Sequence, residues 1–258
     1  MSDYSFEISR LYDSVPLYAT RPDVQFYVEE ARSAGGNVLE IGCGTGRVLI
    51  PTARAGLTID GVDTASGMIS VCAERVASEP QAVRDRVALH ESDGRHLDLR
   101  KSFRLVTAPF RVMQHQITID DQLEFLASVK RHLGRDGRFV FDVFNPNFAA
   151  LVSADGIERE DTPPTSLPDG RSFRRAARVK RVRFVEQVSE VEVIYYVTAS
   201  GEPEKRFVQG FDMRWYLRDE LVHLLARAGL RVRSMYGDFD RSPLADTSKE
   251  IIVVTELA

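Results

Sequence analysis

Four stretches of the chain carry residue types whose order suits a nucleotide-like ligand and a proton transfer. In Val38-Leu39-Glu40-Ile41-Gly42-Cys43-Gly44-Thr45-Gly46-Arg47 an apolar run containing a glutamate passes straight into alternating glycines. Such glycines let the backbone turn sharply and let a ligand approach the main chain with no Cβ in the way. Seventeen positions after Gly46, Gly61-Val62-Asp63 ends a second apolar run on a carboxylate, which can accept hydrogen bonds from both hydroxyls of a ribose. Ser92-Asp93-Gly94-Arg95 follows a third run, and Ala108-Pro109-Phe110-Arg111-Val112-Met113-Gln114-His115 follows a fourth. His115 is of the type that titrates near neutral pH and suits general-base work. Each stretch also has a plain structural role: a tight bend for the glycines, the start of a helix for Asp63, a solvated loop for Asp93, a packing or capping position for His115. Their shared placement after successive strands favours a binding role, because ligands sit at the C-terminal ends of strands in open α/β sheets.

The elements that must position these residues follow from periodicity. From 37 to 145 short β-type runs alternate with amphipathic stretches, which implies a parallel sheet covered by helices. Strands are expected at 38–41, 58–62, 87–90, 104–108 and 137–144, with helices at 47–55, 66–76 and 119–133, the last ending at Gly134. Residues 148–170, rich in turns and containing Pro163, Pro164, Pro168 and Asp169-Gly170, are expected to form a loop and candidate lid. Three segments around 174–184, 187–198 and 205–215 alternate with period two and predict an antiparallel meander. A helix at 218–228 and strands at 230–236 and 250–256 complete the pattern. The chain then divides into an N-terminal cap (1–36), a binding core (37–147), a loop and β insertion (148–216) and a C-terminal part of the core (217–258).

The pattern E-x-G-x-G-x-G resembles the first motif of class I S-adenosylmethionine-dependent methyltransferases, and the resemblance extends over nearly the whole chain apart from the insertion. It implies a Rossmann-like α/β fold: a seven-stranded, mostly parallel sheet with the last strand antiparallel, helices on both faces, and an antiparallel meander inserted at about 171–216. It further implies S-adenosylmethionine as cofactor and S-adenosylhomocysteine as its product. Glu40 would meet the methionine amino group, and Gly42, Cys43, Gly44, Gly46 and Arg47 would form the turn against the methionine and ribose. Asp63 and Thr64 would hold the ribose, Met68 would contact the adenine, and Asp93, Gly94 and Arg95 would meet its edge. Pro109 and Phe110 would line the methyl-transfer site. In nucleotide-linked amino-sugar N,N-dimethyltransferases, which the layout resembles, a histidine stands at the place of His115, the candidate base. Tyr12, Tyr18 and Arg21 in the N-terminal segment and Gln114 are the candidate acceptor-binding residues; a surface helix packed on the sheet is the plain role for the first three.

Composition bounds the partners. With 258 residues, 34 basic and 38 acidic, the net charge is −4, which offers no general attraction for nucleic acid or anionic lipid. The arginine-rich stretch from Arg171 to Arg183 is expected to be solvated or paired with Glu186, Glu190 and Glu192 across the sheet. Two cysteines are too few for a disulfide framework, the histidines show no metal-ligand spacing, and no apolar run is long enough to span a bilayer. A cytoplasmic methyltransferase acting on nitrogen or oxygen of a small-molecule acceptor is expected, with a homodimer through the β insertion as a further expectation. The rivals are a fold relative using the same cofactor for another reaction, a non-catalytic binding module, and a nicotinamide oxidoreductase. The last is disfavoured because Arg47 stands where the dinucleotide fingerprint needs glycine.

Overall fold

The computed structural model describes residues 6–258, so the first five residues of the expected N-terminal cap lie outside it. Three helices, α1 (Phe6–Tyr12), α2 (Pro16–Ala19) and α3 (Asp23–Ala34), precede strand β1 (Val38–Ile41). The chain continues through α4 (Leu49–Arg54), β2 (Ile59–Asp63), α5 (Ser66–Ala77), α6 (Gln81–Arg84), β3 (Val87–Glu91), β4 (Phe103–Ala108), a 3-10 turn at Val112–His115, α7 (Ile119–His132) and β5 (Leu133–Phe144). Then come α8 (Phe148–Val152), the strands β6 (Arg159–Ser166), β7 (Ser172–Arg183), β8 (Val188–Thr198) and β9 (Lys205–Arg214), helix α9 (Arg218–Arg227), β10 (Leu230–Tyr236) and β11 (Glu250–Leu257).

The first sheet has seven strands in the order β10-β11-β5-β4-β1-β2-β3. Its β1–β5 pairs are parallel, and β11 runs antiparallel to both neighbours. This is the sheet the sequence implied. Side chains alternate faces along each strand, so Leu39, Ile41, Val106, Phe139 and Phe141 enter one core layer while Val38, Leu105, Val140 and Ile252 enter the other. The motif-bearing ends of β1, β2 and β4 therefore open on one edge of a sheet whose two faces are covered by buried apolar side chains.

Two expectations are corrected. The strand after α7 begins at Leu133 rather than 137, because Gly134 does not cap the helix. It passes over the start of β4, where a Cβ would meet the Phe103 carbonyl oxygen at 3.3 Å, and at Gly137 at 2.8 Å. Residues 148–170 are also not all loop. Asn147 caps α8 by accepting from the Ala150 N–H at 3.0 Å, and β6 pairs with β7, giving a four-stranded antiparallel sheet, β6-β7-β8-β9. Pro163 and Pro164 fit because β6 is an edge strand with register shifts at Thr162 and Thr165. An edge strand with bulges leaves no regular alternation to read.

The second sheet packs against the N-terminal segment: Ile8, Leu11 and Val15 are buried with Phe173, Val193, Tyr195 and Val197. On its charged face the arginines are paired as expected. Arg178 and Lys180 meet Glu192, and Arg183 meets Glu186, Glu190 and Asp212. Glu158 on the preceding loop adds pairs with Arg178 and Arg206. Among the described residues no helix is long and apolar enough to cross a membrane.

Candidate active site

At the end of β1 the backbone turns through Gly42, Gly44 and Gly46 with φ of 75°, 53° and 85°, a region that side chains with a Cβ rarely adopt. A Cβ on Gly42 would lie 2.3 Å from Val112, whereas nothing lies within 4 Å of the Cβ position at Gly44, where the turn faces open space. The turn is tied to β2: the N–H groups of Gly42 and Cys43 donate to the Val62 carbonyl at 2.7 and 3.0 Å. Asp63 completes the tie by accepting from the Gly44 N–H at 2.8 Å and the Ala65 N–H at 2.9 Å. Burial pushes its carboxyl up, and the backbone N–H groups of Ala65, Gly44 and Thr64 oppose that shift. Each oxygen retains a second lone pair, so Asp63 can both hold the turn and accept from a ligand.

These residues wall a cavity of about 650 Å³, a size that holds a drug-sized molecule. Glu40 lines it, is 2% exposed, and has one carboxylate oxygen, Oε2, buried without a hydrogen-bond partner. Burial pushes its carboxyl well above the usual range, reinforced by Cys72, Asp23 and Asp63 and opposed by Arg47. A buried orphan acceptor is destabilising unless a donor arrives from outside. The amino group of a methionine would be such a donor. The Gly44 opening, the orphan oxygen of Glu40 and the ribose-type acceptor at Asp63 thus fit S-adenosylmethionine.

The second wall is an ion network that sequence reasoning only touched. Asp142, fully buried on β5, accepts from Tyr27 Oη at 2.7 Å, from the Phe110 N–H at 2.8 Å and from Arg21 at 2.7 Å. Arg21 also pairs with Asp23 and Glu250, and Asp23 takes a bidentate grip from Arg47 at 2.6 and 2.7 Å. The guanidinium groups of Arg21 and Arg47 each lie 5.0 Å from the Phe110 ring centroid. Phe110 and Arg111 have φ of 56° and 72°, two consecutive non-glycine residues in the left-handed region. Such a turn stores about 1–3 kcal/mol per residue and persists only where its surroundings over-determine it. Asp142 supplies that constraint.

The third wall joins the N-terminal segment to the second sheet. Tyr12 and Tyr18 pack together at 4.7 Å, and Tyr18 meets Phe110 edge-on at 4.9 Å. Arg175 of β7 donates to Tyr18 Oη and grips Asp161 through two bonds of 2.9 Å. Val191, Val193, Phe211 and Met213 add an apolar surface. His115 faces Phe211 with ring centroids 5.5 Å apart and bonds the Asp212 backbone. Burial pushes its pKa down to about 4, so the imidazole is neutral at physiological pH.

Of the residues expected from sequence, Tyr12, Tyr18, Arg21, Glu40, Gly42, Cys43, Gly44, Arg47, Asp63, Thr64, Met68, Pro109, Phe110 and His115 all line this one cavity. Gly46, Asp93, Gly94, Arg95 and Gln114 do not. Gly46 shapes the turn from behind. Asp93 is held by Arg95 at 2.6 Å, and Arg95 also reaches Asp121. Gln114 is fully buried and spans two backbones, donating to the Arg214 carbonyl at 2.7 Å and accepting from the Phe144 N–H at 2.9 Å, which fastens the His115 turn to β5 and β9. Arg21 and Arg47 are engaged by carboxylates of the protein itself. Sequence reasoning missed Asp142, Glu250, Lys249 and the role of Arg175. For Asp142 there was a signal, a lone charge within Phe139-Val140-Phe141-Asp142-Val143-Phe144.

Comparison with known proteins agrees with this fold. Residues 38–137 match the family model described as a methyltransferase domain. The dTDP-3-amino-3,6-dideoxy-alpha-D-glucopyranose N,N-dimethyltransferase of Streptomyces fradiae is 26% identical over 248 residues, covering 92% of this chain and 88% of that protein. The cypemycin N-terminal methyltransferase of a Streptomyces species is 26% identical over 227 residues, covering 86% and 83%. The crystal structure of an S-adenosylmethionine-dependent methyltransferase from Clostridium acetobutylicum superposes with a TM-score of 0.77 at 17% identity, covering 98% of each chain. Residues 38–137 match a methyltransferase domain, and the chain as a whole has the fold of the S-adenosylmethionine-dependent methyltransferase structures.

Proposed function

We propose that the protein transfers a methyl group from S-adenosylmethionine to an amine nitrogen of a small polar acceptor, and that the acceptor lies between the Phe110 turn, His115 and the inner face of the second sheet. The observation that carries the cofactor side is the orphan oxygen of Glu40 beside the open Gly44 turn. Nitrogen is favoured because the Streptomyces fradiae relative described above carries the name of an N,N-dimethyltransferase. Bound S-adenosylmethionine supplies a methyl group activated by a sulfonium. Glu40 would bind its amino group, Asp63 its ribose hydroxyls and Met68 its adenine.

The protein's own work is orientation, water exclusion and proton removal. Tyr12, Tyr18 and Phe110 close the aromatic side of the cavity, and Val191, Val193 and Met213 keep water from the acceptor. His115, neutral in its buried setting, accepts the proton that an amine must lose. Because its pKa is about 4, it is a weak base, and its contribution falls at the low end of general-base effects. His115→Ala is therefore expected to lower kcat about 10- to 100-fold and leave S-adenosylhomocysteine affinity within about twofold. Its ionisation should also add no inflection to the pH–rate profile above about pH 5. Steady-state rates with dTDP-3-amino-3,6-dideoxyglucose, alongside calorimetry with S-adenosylhomocysteine, check both statements; equal losses of rate and cofactor affinity would contradict the role.

Glu40 makes a second, pH-linked prediction. Its carboxyl is raised by burial in the free protein, and a cofactor ammonium at Oε2 favours the ionised form. At a pH where the free carboxyl is still protonated, binding S-adenosylhomocysteine should thus release a proton, so the calorimetric enthalpy should there vary with the ionisation enthalpy of the buffer. Glu40→Gln should remove that dependence and weaken binding at least about tenfold. A buffer-independent enthalpy in the unaltered protein would contradict protonation of Glu40.

A further inference from the structure

Among the described residues three carboxylates line the cavity: Glu40, Asp63 and Glu250. The cofactor assignment above uses the first two and leaves Glu250 without a task. Glu250 opens β11, in register with Phe144 at the end of β5, and β11 lies three places along the sheet from β1. At the usual strand spacing that is about 14 Å, which sets Glu250 apart from the glycine turn. The residue is 9% exposed. Its Oε1 accepts from Arg111 at 3.0 Å and meets Arg21 at 3.2 Å, while Oε2 is buried with no hydrogen-bond partner. Arg111 lines the same cavity, and its Nε is likewise buried and unpartnered. An acceptor and a donor are thus left over on two side chains already joined through Nη2 and Oε1, which keeps the two atoms within a few ångströms of each other. Leaving such groups unmet is costly, and more so for charged ones.

The charge on this wall decides what can meet them. Arg47, Arg21 and Arg111 pair with Asp23, Asp142 and Glu250, three guanidinium groups against three carboxylates. Lys249 lines the cavity beside them, and its ammonium makes no ion pair among the described residues. A ligand ammonium here would be surplus positive charge, and it has no lone pair to accept from Arg111 Nε. A neutral amine has one, but a lone pair held by Arg111 cannot attack a methyl group. A hydroxyl donates one hydrogen and accepts through a lone pair, so it suits both atoms. Arg111 directly follows Phe110 in the turn beside the proposed transfer site, so the hydroxyl belongs close to the reacting nitrogen.

We propose that Glu250 and Arg111 recognise a hydroxyl group flanking the nitrogen that is methylated, the hydroxyl donating to Glu250 Oε2 and accepting from Arg111 Nε, so that the acceptors of this protein are hydroxylated amines. The inference rests on the methyl-transfer reading above. The contact orients the acceptor and takes no part in bond making, which aims the nitrogen lone pair at the methyl group.

The test uses the full-length protein saturated with S-adenosylhomocysteine and titrated with dTDP-3-amino-3,6-dideoxyglucose and with its 2-deoxy and 4-deoxy analogues, each of which lacks one hydroxyl beside the amine. Burial raises the Glu250 carboxyl and the Arg111 and Arg21 charges oppose that shift, so titrations are run at pH 8 to favour the carboxylate. In parallel, the three sugars are incubated with S-adenosylmethionine and the products weighed by mass spectrometry. At least one analogue is expected to bind about tenfold or more weaker than the parent sugar. In Glu250→Gln the two guanidinium groups hold the amide oxygen at the place of Oε1, which puts the NH2 group at that of Oε2, a donor facing a donor. The variant should bind the parent sugar at least about tenfold more weakly and distinguish it from that analogue by less than about threefold, while its S-adenosylhomocysteine affinity stays within about threefold. Both analogues binding the unaltered protein within about threefold of the parent, or a variant that keeps the tenfold preference, would overturn the proposal. Loss of S-adenosylhomocysteine binding in Glu250→Gln would place the residue at the cofactor and overturn it too. Methylation of all three sugars with equal affinity sinks this inference alone, whereas methylation of none removes the acceptor reading beneath it.

Discussion

Asp142→Ala is expected to lower the unfolding temperature by roughly 10 °C, the largest effect of any single substitution at this site. The carboxylate is fully buried and receives three donors: Tyr27 Oη, the Phe110 N–H and Arg21. Removing one partner of a buried charge pair typically costs about 3–5 kcal/mol; here Arg21 keeps Asp23 and Glu250, and the cost comes mainly from the Tyr27 hydroxyl and the Phe110 N–H left buried without their acceptor. In a domain of this size each kcal/mol moves the midpoint by about 2–4 °C. The freed Phe110 N–H would also release the left-handed turn at 110–111, and with it the wall between cofactor and acceptor. Asp142→Asn keeps an acceptor for Tyr27 and Phe110 but sets an amide against Arg21, so its shift should be smaller. Thermal unfolding of the two variants checks this order; a shift under about 2 °C for Asp142→Ala would show that the network carries little stability.

The second large effect is on binding. Asp63→Ala is expected to weaken S-adenosylhomocysteine binding about 100- to 1,000-fold, the equivalent of two hydrogen bonds to a charged acceptor at about 1.5–2 kcal/mol each. Part of the loss comes from the protein, since Gly44 and Ala65 N–H groups lose their acceptor and the turn loses its tie to β2. Asp63→Asn separates the two contributions. It leaves one oxygen for the backbone while removing one acceptor from the ribose, and should fall between the two. Calorimetric titration of the three proteins gives the comparison, and an Asp63→Ala affinity within about fivefold of the unaltered protein would contradict a ribose-binding role.

The parallel core was legible because its physics is local. Val38–Ile41 and the run ending at Asp63 are short apolar segments bounded by glycine and polar residues, and the structure places them within a residue of the expected bounds. The carboxylates at their ends point to ligand binding because open sheets present their strand ends to a crevice. What was not legible depends on distant neighbours. Arg175 is one arginine among several in its stretch, and nothing local distinguishes it from Arg174, which pairs with Glu204 at the surface. It is buried only because Tyr18 and Asp161 arrive from elsewhere in the chain. Gln114 beside His115 reads as a pocket residue, yet β5 and β9 claim both ends of its amide. Arg21 was expected to meet the acceptor and Arg47 the cofactor, and Asp23, Asp142 and Glu250 reach them first. The edge strand β6 was hidden by its prolines, which only an edge can accommodate.

The most direct test is a calorimetric titration of the purified protein with S-adenosylhomocysteine and, in parallel, NAD. Saturable one-to-one binding of S-adenosylhomocysteine, lost in Asp63→Ala, with no heat from NAD, is the predicted result. Binding of NAD, or of neither molecule, would contradict the assignment of this cavity to S-adenosylmethionine.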